Sequence, residues 1–226
     1  MQFLDDDPLI AKKDFGVQAA LDAYFEELSG VLAALPREKI AAAVKICDET
    51  RRKNRTVYLC GNGGSAAAAT HFAADLSKVA YVPGCARFRT CVLSDNTSTL
   101  TAYSNDESYD RAFRGQMEGL ATRSDLLIGI STSGISASVV EAFAFARSEG
   151  MSSIAITRDG DTPLSRLATA VVSVRPARIQ VMEDAQMAVL HAISIMLRFA
   201  AETECSGACV QDRARPTSKP IRDVPC

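Results

Sequence analysis

The sequence predicts a single α/β domain, in which a five-stranded parallel sheet is flanked by helices and preceded by a helical hairpin. From residue 56 onward, short apolar segments alternate with segments of helical composition, as in a parallel sheet covered on both faces. The length of 226 residues suits one sizeable domain better than two. A composition of 47% hydrophobic and 23% charged residues is typical of a globular protein with a substantial core.

Two helices are predicted before the first strand. Apolar residues such as Leu21 and Leu28 recur at helical spacing over Val17–Leu35. Pro36 suits the start of a second helix, in which Ile40 continues the apolar pattern. This hairpin is expected either to cover the sheet or to join a partner subunit.

The remaining elements follow in alternation. Strands are predicted at five apolar segments, Thr56–Cys60, Phe88–Leu93, Asp125–Ile130, Ser153–Thr157 and Ala170–Val174. The intervening helices are predicted at Ser65–Ala80, Tyr109–Leu120, Ala137–Glu149, a short turn at Pro163–Leu167, and Val181–Ala201. We expect right-handed crossovers, with ligands bound at the carboxyl ends of the strands. The domain should span residues 1–202, and the Arg-, Pro- and Ser-rich stretch 203–226 is predicted to be a poorly ordered tail.

Charge and hydropathy argue against several classes of protein. The formal net charge is −2 and the basic residues are scattered, so neither nucleic acid nor a membrane surface is an expected partner. No apolar run is long enough to span a membrane. The first fifteen residues lack the features of a secretory signal, and we expect a cytoplasmic protein.

The seven cysteines are expected to be reduced thiols rather than a disulfide framework. Four of them lie among apolar residues, where free cysteine is commonly buried: Cys47, Cys60, Cys85 and Cys91. The other three lie in the polar C-terminal stretch: Cys205, Cys209 and Cys226. The CxxxC spacing there has no partner pair or histidine nearby, so it is a weak zinc signal.

Two loops at strand ends are suited to binding an anion. The first predicted strand leads into Gly61–Ser65, whose glycines permit a close backbone approach to a ligand before a helix begins. The third leads into Ser131–Ser136, which offers hydroxyl donors at another helix start. Taken alone, the first loop could be a plain tight turn and the second a helix cap. Neither is a P-loop or a GxGxxG motif, and together they favour a single phosphate over a nucleotide.

Four segments carry a resemblance to a known family. They are GNGGSAAAATHFAADL at 61–76, LSDNTSTLTAYSND at 93–106, LIGISTSGISASVVEA at 127–142 and EDAQMAVLH at 183–191. In these motifs, their order and their spacing, the sequence resembles the sugar isomerase (SIS) domain family, and most closely the phosphoheptose isomerases. The resemblance implies an SIS-type three-layer sandwich.

The resemblance also implies an activity and an assembly. It implies an enzyme that converts sedoheptulose 7-phosphate to D-glycero-D-manno-heptose 7-phosphate or a stereoisomer through an enediol(ate), with zinc in many members. It further implies a homotetramer with active sites between subunits. The implied substrate-binding residues are Asn62, Gly63, Gly64, Ser65, Asn105, Asp106, Ser131, Thr132, Ser133, Ser136 and Glu183.

The two histidines of the chain both fall on functional positions of the resembled family. His71 and Asp75 are four residues apart and share one helix face. Glu183 and His191 are eight residues apart on the last helix, roughly 80° around its axis. Two imidazoles and two carboxylates form a reasonable zinc set. The resemblance gives Asp75 and His191 the acid–base roles.

Two of these four residues depart from the family pattern of His, Glu, Gln, His. Asp75 has a carboxylate with a shorter reach, and Glu183 carries a charge where the family has an amide. Gln180 would match the family glutamine only if the alignment were shifted by three residues relative to His191. The departures leave open an isomerase of another sugar phosphate. A second alternative is a non-catalytic SIS protein that binds a sugar phosphate or the replication initiator, although the presence of both histidines argues against it.

Overall fold

The computed structural model describes residues 16–213, with side chains described through residue 205. Within this part, a five-stranded sheet lies between two helical layers, and every strand pairing in it is parallel. The strands are β1 (Thr56–Cys60), β2 (Arg89–Val92), β3 (Leu126–Ser131), β4 (Ser152–Arg158) and β5 (Ala170–Val174). The predicted α/β architecture is confirmed.

The strand order is β2-β1-β3-β4-β5, so the chain changes its direction across the sheet between β2 and β3. β1 and β3 are direct neighbours, in a register that runs from Val57 opposite Leu126 to Cys60 opposite Gly129. The loops that leave β1 and β3 therefore emerge side by side. In open parallel sheets, such a switch point forms the crevice in which ligands bind.

Eight α-helices and a 3-10 turn accompany the sheet in the described part of the chain. They are α1 (Val17–Ala33), α2 (Arg37–Arg52), α3 (Gly64–Lys78), α4 (Thr97–Asp106), the 3-10 turn Tyr109–Arg111, α5 (Ala112–Met117), α6 (Ala137–Ser148), α7 (Pro163–Leu167) and α8 (Ile179–Arg213). None of the described helices is both long and apolar enough to cross a membrane.

Helix α4 forms where the sequence predicts no helix, and the 3-10 turn and α5 form where it predicts a single helix over Tyr109–Leu120. The side chain of Asn96 caps α4 by accepting a hydrogen bond from the backbone N–H of Thr99. The ring of Tyr103 lies against Gly115, and its hydroxyl donates to the Gly115 carbonyl over 2.9 Å. Tertiary packing of Tyr103 therefore joins two short helices that have weak patterns of their own.

Each face of the sheet has its own apolar core. On one face, alternate strand residues such as Leu59 and Ile128 pack with Phe72 of α3 and Leu197 of α8. On the opposite face, the intervening residues, such as Leu127, pack with residues of α5 and α6. This division follows from the two-residue period of a strand, which sends neighbouring side chains to opposite faces.

The N-terminal hairpin packs its first helix against the start of α8. Val31 of α1 and Val181 of α8 are buried in a third apolar cluster. Beside this cluster, Tyr24 donates a hydrogen bond to Asp184, which raises the pKa of the tyrosine to about 12. The carboxylate of Glu27 pairs with Arg178 over 3.2 Å. The hairpin thus holds the first turns of α8 in place.

The expectation that Cys85 is a reduced thiol is wrong, because the structure pairs it with Cys205 in a disulfide. Helix α8 continues to Arg213, beyond the predicted end at Ala201 and into the stretch expected to be a tail. The continued helix passes beside the segment that follows α3, which brings the two Cα atoms to 6.4 Å. Buried Arg51 supports this contact with an ion pair to Glu204 at 2.5 Å.

Three cysteines in the described part, Cys47, Cys60 and Cys91, are free thiols as expected. Burial raises the pKa of both Cys47 and Cys60 to about 12, so these two thiols stay protonated. The side chain of Cys209 and all of Cys226 lie outside what the structure describes, as do residues 214–226 of the predicted tail.

Gly129 in β3 provides a test of this packing. A Cβ atom at this position would lie 2.3 Å from the ring of Phe143 and 3.2 Å from Val139. We expect Gly129→Ala to lower the free energy of unfolding by about 1–3 kcal/mol, because the core is overpacked. Urea denaturation followed by circular dichroism measures the change. Gly16→Ala, where nothing lies within 4 Å, is the control, and equal stability of the two variants would contradict the packing described.

Candidate active site

The loop after β1 brings backbone close to two neighbouring elements. Gly63 has a positive φ of 54°, a conformation that favours glycine, and α3 begins at the next residue. A Cβ atom on Gly64 would lie 2.6 Å from the carboxylate of Glu183, and one on Gly61 would lie 2.7 Å from the backbone of Ser65. Side chains at these positions would push the loop away from α8 and from its own helix.

The loop after β3 is shaped by its own serines. The hydroxyl of Ser131 accepts a hydrogen bond from the N–H of Gly134 (3.1 Å), and Ser133 accepts from Ile135 (3.3 Å). Gly134 has a φ of 69°, and a Cβ there would lie 2.7 Å from Thr162. Ser136 is the N-cap residue of α6 but makes no side-chain cap hydrogen bond. The N–H groups of Val139 and Val140 bond to the Ser136 carbonyl, which leaves those of Ala137 and Ser138 for another acceptor, such as an anion.

Asn62 links the two loops into one cradle. Its amide nitrogen donates to the hydroxyls of Ser136 and Ser138, each over 3.0 Å. Its amide oxygen accepts a hydrogen bond from the hydroxyl of Tyr109 over 2.7 Å. The structure thus brings the predicted residues of both loops together. The structure also places Tyr109 in contact with Asn62, although the sequence indicates this tyrosine only as the start of a helix.

A second group of polar residues lies farther along α3 and α8. The Nε2 atoms of His71 and His191 are 3.1 Å apart, and Oδ2 of Asp75 lies 3.8 Å from each of them. The hydroxyl of Ser194 is 3.5 Å from the same carboxylate. Both imidazoles are about half exposed, whereas the Asp75 side chain is 15% exposed. We refer to His71, Asp75 and His191 as the trio.

The trio has the character of a metal site. Its three ligand atoms, two imidazole nitrogens and a carboxylate oxygen, all lie within 4.8 Å of one another. Nitrogen and oxygen ligands of this kind suit zinc, and catalytic zinc sites use three protein ligands with a fourth position left open. The exposure of both imidazoles leaves a side from which a ligand reaches the trio.

The cradle and the trio are joined by the packing of α3 against α8. The two helices run side by side in the same direction, and their contacts keep a nearly constant offset along both chains. Gly64 faces Glu183, His71 faces His191, and Val79 accepts a hydrogen bond from Arg198. Helix α3 therefore begins at the cradle, α8 passes it at Glu183, and both helices carry the trio about two turns later.

Glu183 lies at the cradle end of this arrangement. It lines a pocket of about 180 Å³ that Gly64, Ser65 and Gln186 also line. The structure does not bring its carboxylate into the group formed by the trio, and its role as a metal ligand stays a prediction. The reason is its position on α8, eight residues before His191, which places it beside the loop after β1.

The remaining predicted residues lie in the loop after β3 and at the end of α4. Thr132 and Ser133 line a larger cavity of about 630 Å³, which is bounded on its other side by the loop after β4 and the start of α8. Asn105 and Asp106 lie at the exposed end of α4, where Asn105 donates to Asp106 over 2.8 Å. They precede the 3-10 turn that carries Tyr109.

Comparisons with known proteins identify the family of the chain. The family model "SIS domain" matches residues 23–158. The phosphoheptose isomerase of Aliarcobacter butzleri is 44% identical over 144 residues, covering 61% of this chain and 72% of the relative. That of Helicobacter pylori strain P12 is 39% identical over 169 residues, covering 74% and 87%.

A solved structure is similar over most of its length. The phosphoheptose isomerase GmhA from Neisseria gonorrhoeae superposes with a TM-score of 0.74 at 28% sequence identity. The match covers 80% of this chain and 98% of that one. The family model, the curated relatives and the structural neighbour agree with the fold. The chain belongs to the SIS domain family, as a member of its phosphoheptose isomerases.

Proposed function

We propose that this isomerase interconverts sedoheptulose 7-phosphate and D-glycero-D-manno-heptose 7-phosphate, or a stereoisomer of the latter. The observation that carries the proposal is the register of α3 against α8, which fixes the separation between an anion cradle and a polar trio. Two of the similar proteins are named phosphoheptose isomerases at 39% and 44% identity, which supports the same substrate class.

The separation between cradle and trio suits a seven-carbon sugar phosphate. Gly64 and His71 both lie on α3, and the rise of an α-helix places them about 10 Å apart along its axis. An extended heptose 7-phosphate has the length to keep its phosphate in the cradle while its first two carbons lie at the trio. A pentose phosphate is two carbons shorter and falls short of one of the two ends.

The cradle supplies the phosphate contacts. The free first-turn N–H groups of α6 and the hydroxyls of Thr132, Ser133 and Ser136 surround the position where a phosphate fits. Helix N-termini favour anions through their partial positive charge. Because the formal net charge of the whole chain is −2, these local groups rather than a positive surface account for binding.

The trio supplies the proton transfer. Aldose–ketose isomerisation moves a proton between C1 and C2 through an enediol(ate), while a second proton moves between the two oxygens. Asp75 is suited to take the carbon-bound proton from C1 and return it to C2. The imidazole of His191, 3.8 Å from that carboxylate, is suited to serve O1 and O2. With zinc held by His71, Asp75 and His191, the metal would act as a Lewis acid toward the carbonyl oxygen in place of proton transfer by His191. Asp75 would then keep its second carboxylate oxygen for the carbon-bound proton.

We also propose that the chain forms a homo-oligomer, with a tetramer as the assembly. Val17, Leu21 and Phe25 form an apolar stripe on one face of α1, exposed by 78%, 46% and 60%. Ile195 and Phe199 of α8 are exposed as well, close in sequence to His191. Apolar stripes of this kind are typical of interfaces, and burying the one on α8 would enclose the trio.

Replacement of His191 tests the catalytic proposal. We expect His191→Gln to lower kcat for sedoheptulose 7-phosphate by about 10²–10⁴, because the group serving the oxygens is lost. A coupled assay for the aldose product, run with and without added zinc, measures this. Arg198→Gln on the same helix is the control and should keep near-normal turnover. Absence of wild-type turnover under both conditions, or full activity of His191→Gln, would contradict the proposal.

The position of Glu183 gives a second prediction. Because Glu183 lies at the cradle and outside the trio, Glu183→Gln should keep the zinc content of the protein and alter KM for the sugar phosphate. His71→Ala removes one of three ligands and should reduce zinc affinity by at least about tenfold. Metal analysis after dialysis against a zinc buffer measures both variants. Equal loss of zinc from Glu183→Gln and His71→Ala would contradict this prediction and would indicate that Glu183 is a zinc ligand.

The apolar stripe of α1 gives a third prediction. Phe25→Glu introduces a charge on the exposed face, so it should shift the assembly toward monomers without unfolding the chain. Light scattering coupled to size-exclusion chromatography measures the mass. Ala19→Glu, which is also exposed on α1 but lies on a different face of the helix from the stripe, is the matched charge control. A monomeric wild type, or an unchanged oligomer for Phe25→Glu, would contradict the proposed interface.

A further inference from the structure

The hydrogen bonds around Asn62 form a chain with one direction. The hydroxyl of Tyr109 donates to the amide oxygen, and both amide hydrogens are donated to Ser136 and Ser138. With their oxygens accepting from Asn62, these two serines keep their own hydroxyl hydrogens for other partners. A phosphate at the cradle accepts hydrogen bonds and donates few, so this polarity favours its binding.

The opposite orientation of the amide would reverse this polarity. If the amide of Asn62 were flipped, its oxygen would face Ser136 and Ser138 and would accept their hydroxyl hydrogens. The serine oxygens would then present lone pairs toward an anion, which is repulsive. The Tyr109 hydroxyl can itself donate or accept, so its bond to Asn62 holds that side chain in place. The order of donors along the chain of hydrogen bonds is then the one that a phosphate beside the serines selects.

Tyr109 is held where it serves as that donor. Its ring packs edge-on against Phe113, at a centroid distance of 6.4 Å and an interplanar angle of 62°. Phe113 is fully buried in the core on that side of the sheet. Burial also raises the pKa of the Tyr109 phenol, which keeps the hydroxyl protonated around neutral pH. The donor is therefore supplied by a ring anchored outside both cradle loops.

We propose that Tyr109 is a positioning residue for phosphate binding, which acts by holding the Asn62 side chain against Ser136 and Ser138. The partly exposed hydroxyl of Ser136 then accepts from Asn62 and donates its own hydrogen to the phosphate. The proposal rests on the proposed function in placing the phosphate of the substrate in the cradle. It assigns a role to a residue in the 3-10 turn, outside both loops that form the cradle. Loss of the Tyr109 hydroxyl should weaken substrate binding and leave the rate of proton transfer at the trio unchanged.

Tyr109→Phe removes the hydroxyl and keeps the ring. The loss of one hydrogen bond that orders the cradle should raise KM for sedoheptulose 7-phosphate and weaken inorganic phosphate binding by about two- to tenfold. Turnover at saturating substrate should stay within about twofold. Tyr103→Phe is the matched control, because it loses a 2.9 Å hydrogen bond to Gly115 between α4 and α5 without touching Asn62.

Calorimetric titration with inorganic phosphate provides a readout that does not depend on turnover. If Tyr109 acts through Asn62, Tyr109→Phe in an Asn62→Ala background should cause no further loss of phosphate affinity. An additive loss would overturn the proposal, as would unchanged phosphate affinity in Tyr109→Phe or an equal loss in Tyr103→Phe. A wild type that binds phosphate but does not isomerise the heptulose would contradict the proposed function alone.

Discussion

The packing of α3 against α8 is the constraint on which the site depends. The two helices run in the same direction from the carboxyl ends of the strands. Their register is constant from Gly64 beside Glu183 to Val79 beside Arg198. Buried residues such as Phe72 and Leu197 fix this register, because they share one apolar core under the helices. The trio is therefore positioned by the same packing that stabilises the domain.

The sheet adds the second constraint. Because β1 and β3 are neighbours at the switch point, the loops after them meet, and Asn62 reaches Ser136 across the gap. A phosphate site built in this way is shared by catalytic and non-catalytic members of such a fold, so it does not determine activity. What favours an enzyme here is the trio, in which a carboxylate and two imidazoles lie within reach of one ligand.

The sequence was informative where local chemistry decides structure. Strand alternation predicted all five strands, and the glycine and serine loops predicted the cradle. It failed where distant packing decides. Tyr103 against Gly115 stabilises α4 and α5, and the disulfide between Cys85 and Cys205 joins residues 120 positions apart. Helical spacing predicts that Glu183 and His191 lie within about 80° of each other around the axis of α8. Along that axis, however, the two residues are eight positions apart.

The central claim is that α3 and α8 hold the cradle and the trio at a distance set for a seven-carbon sugar phosphate. It is tested most directly by kcat/KM for a series of ketose phosphates with five, six and seven carbons, each phosphorylated on its last carbon. We expect kcat/KM to rise steeply with the length of the sugar and to be highest for the heptulose 7-phosphate. Equal values across the series, or a maximum at the pentulose 5-phosphate, would contradict it.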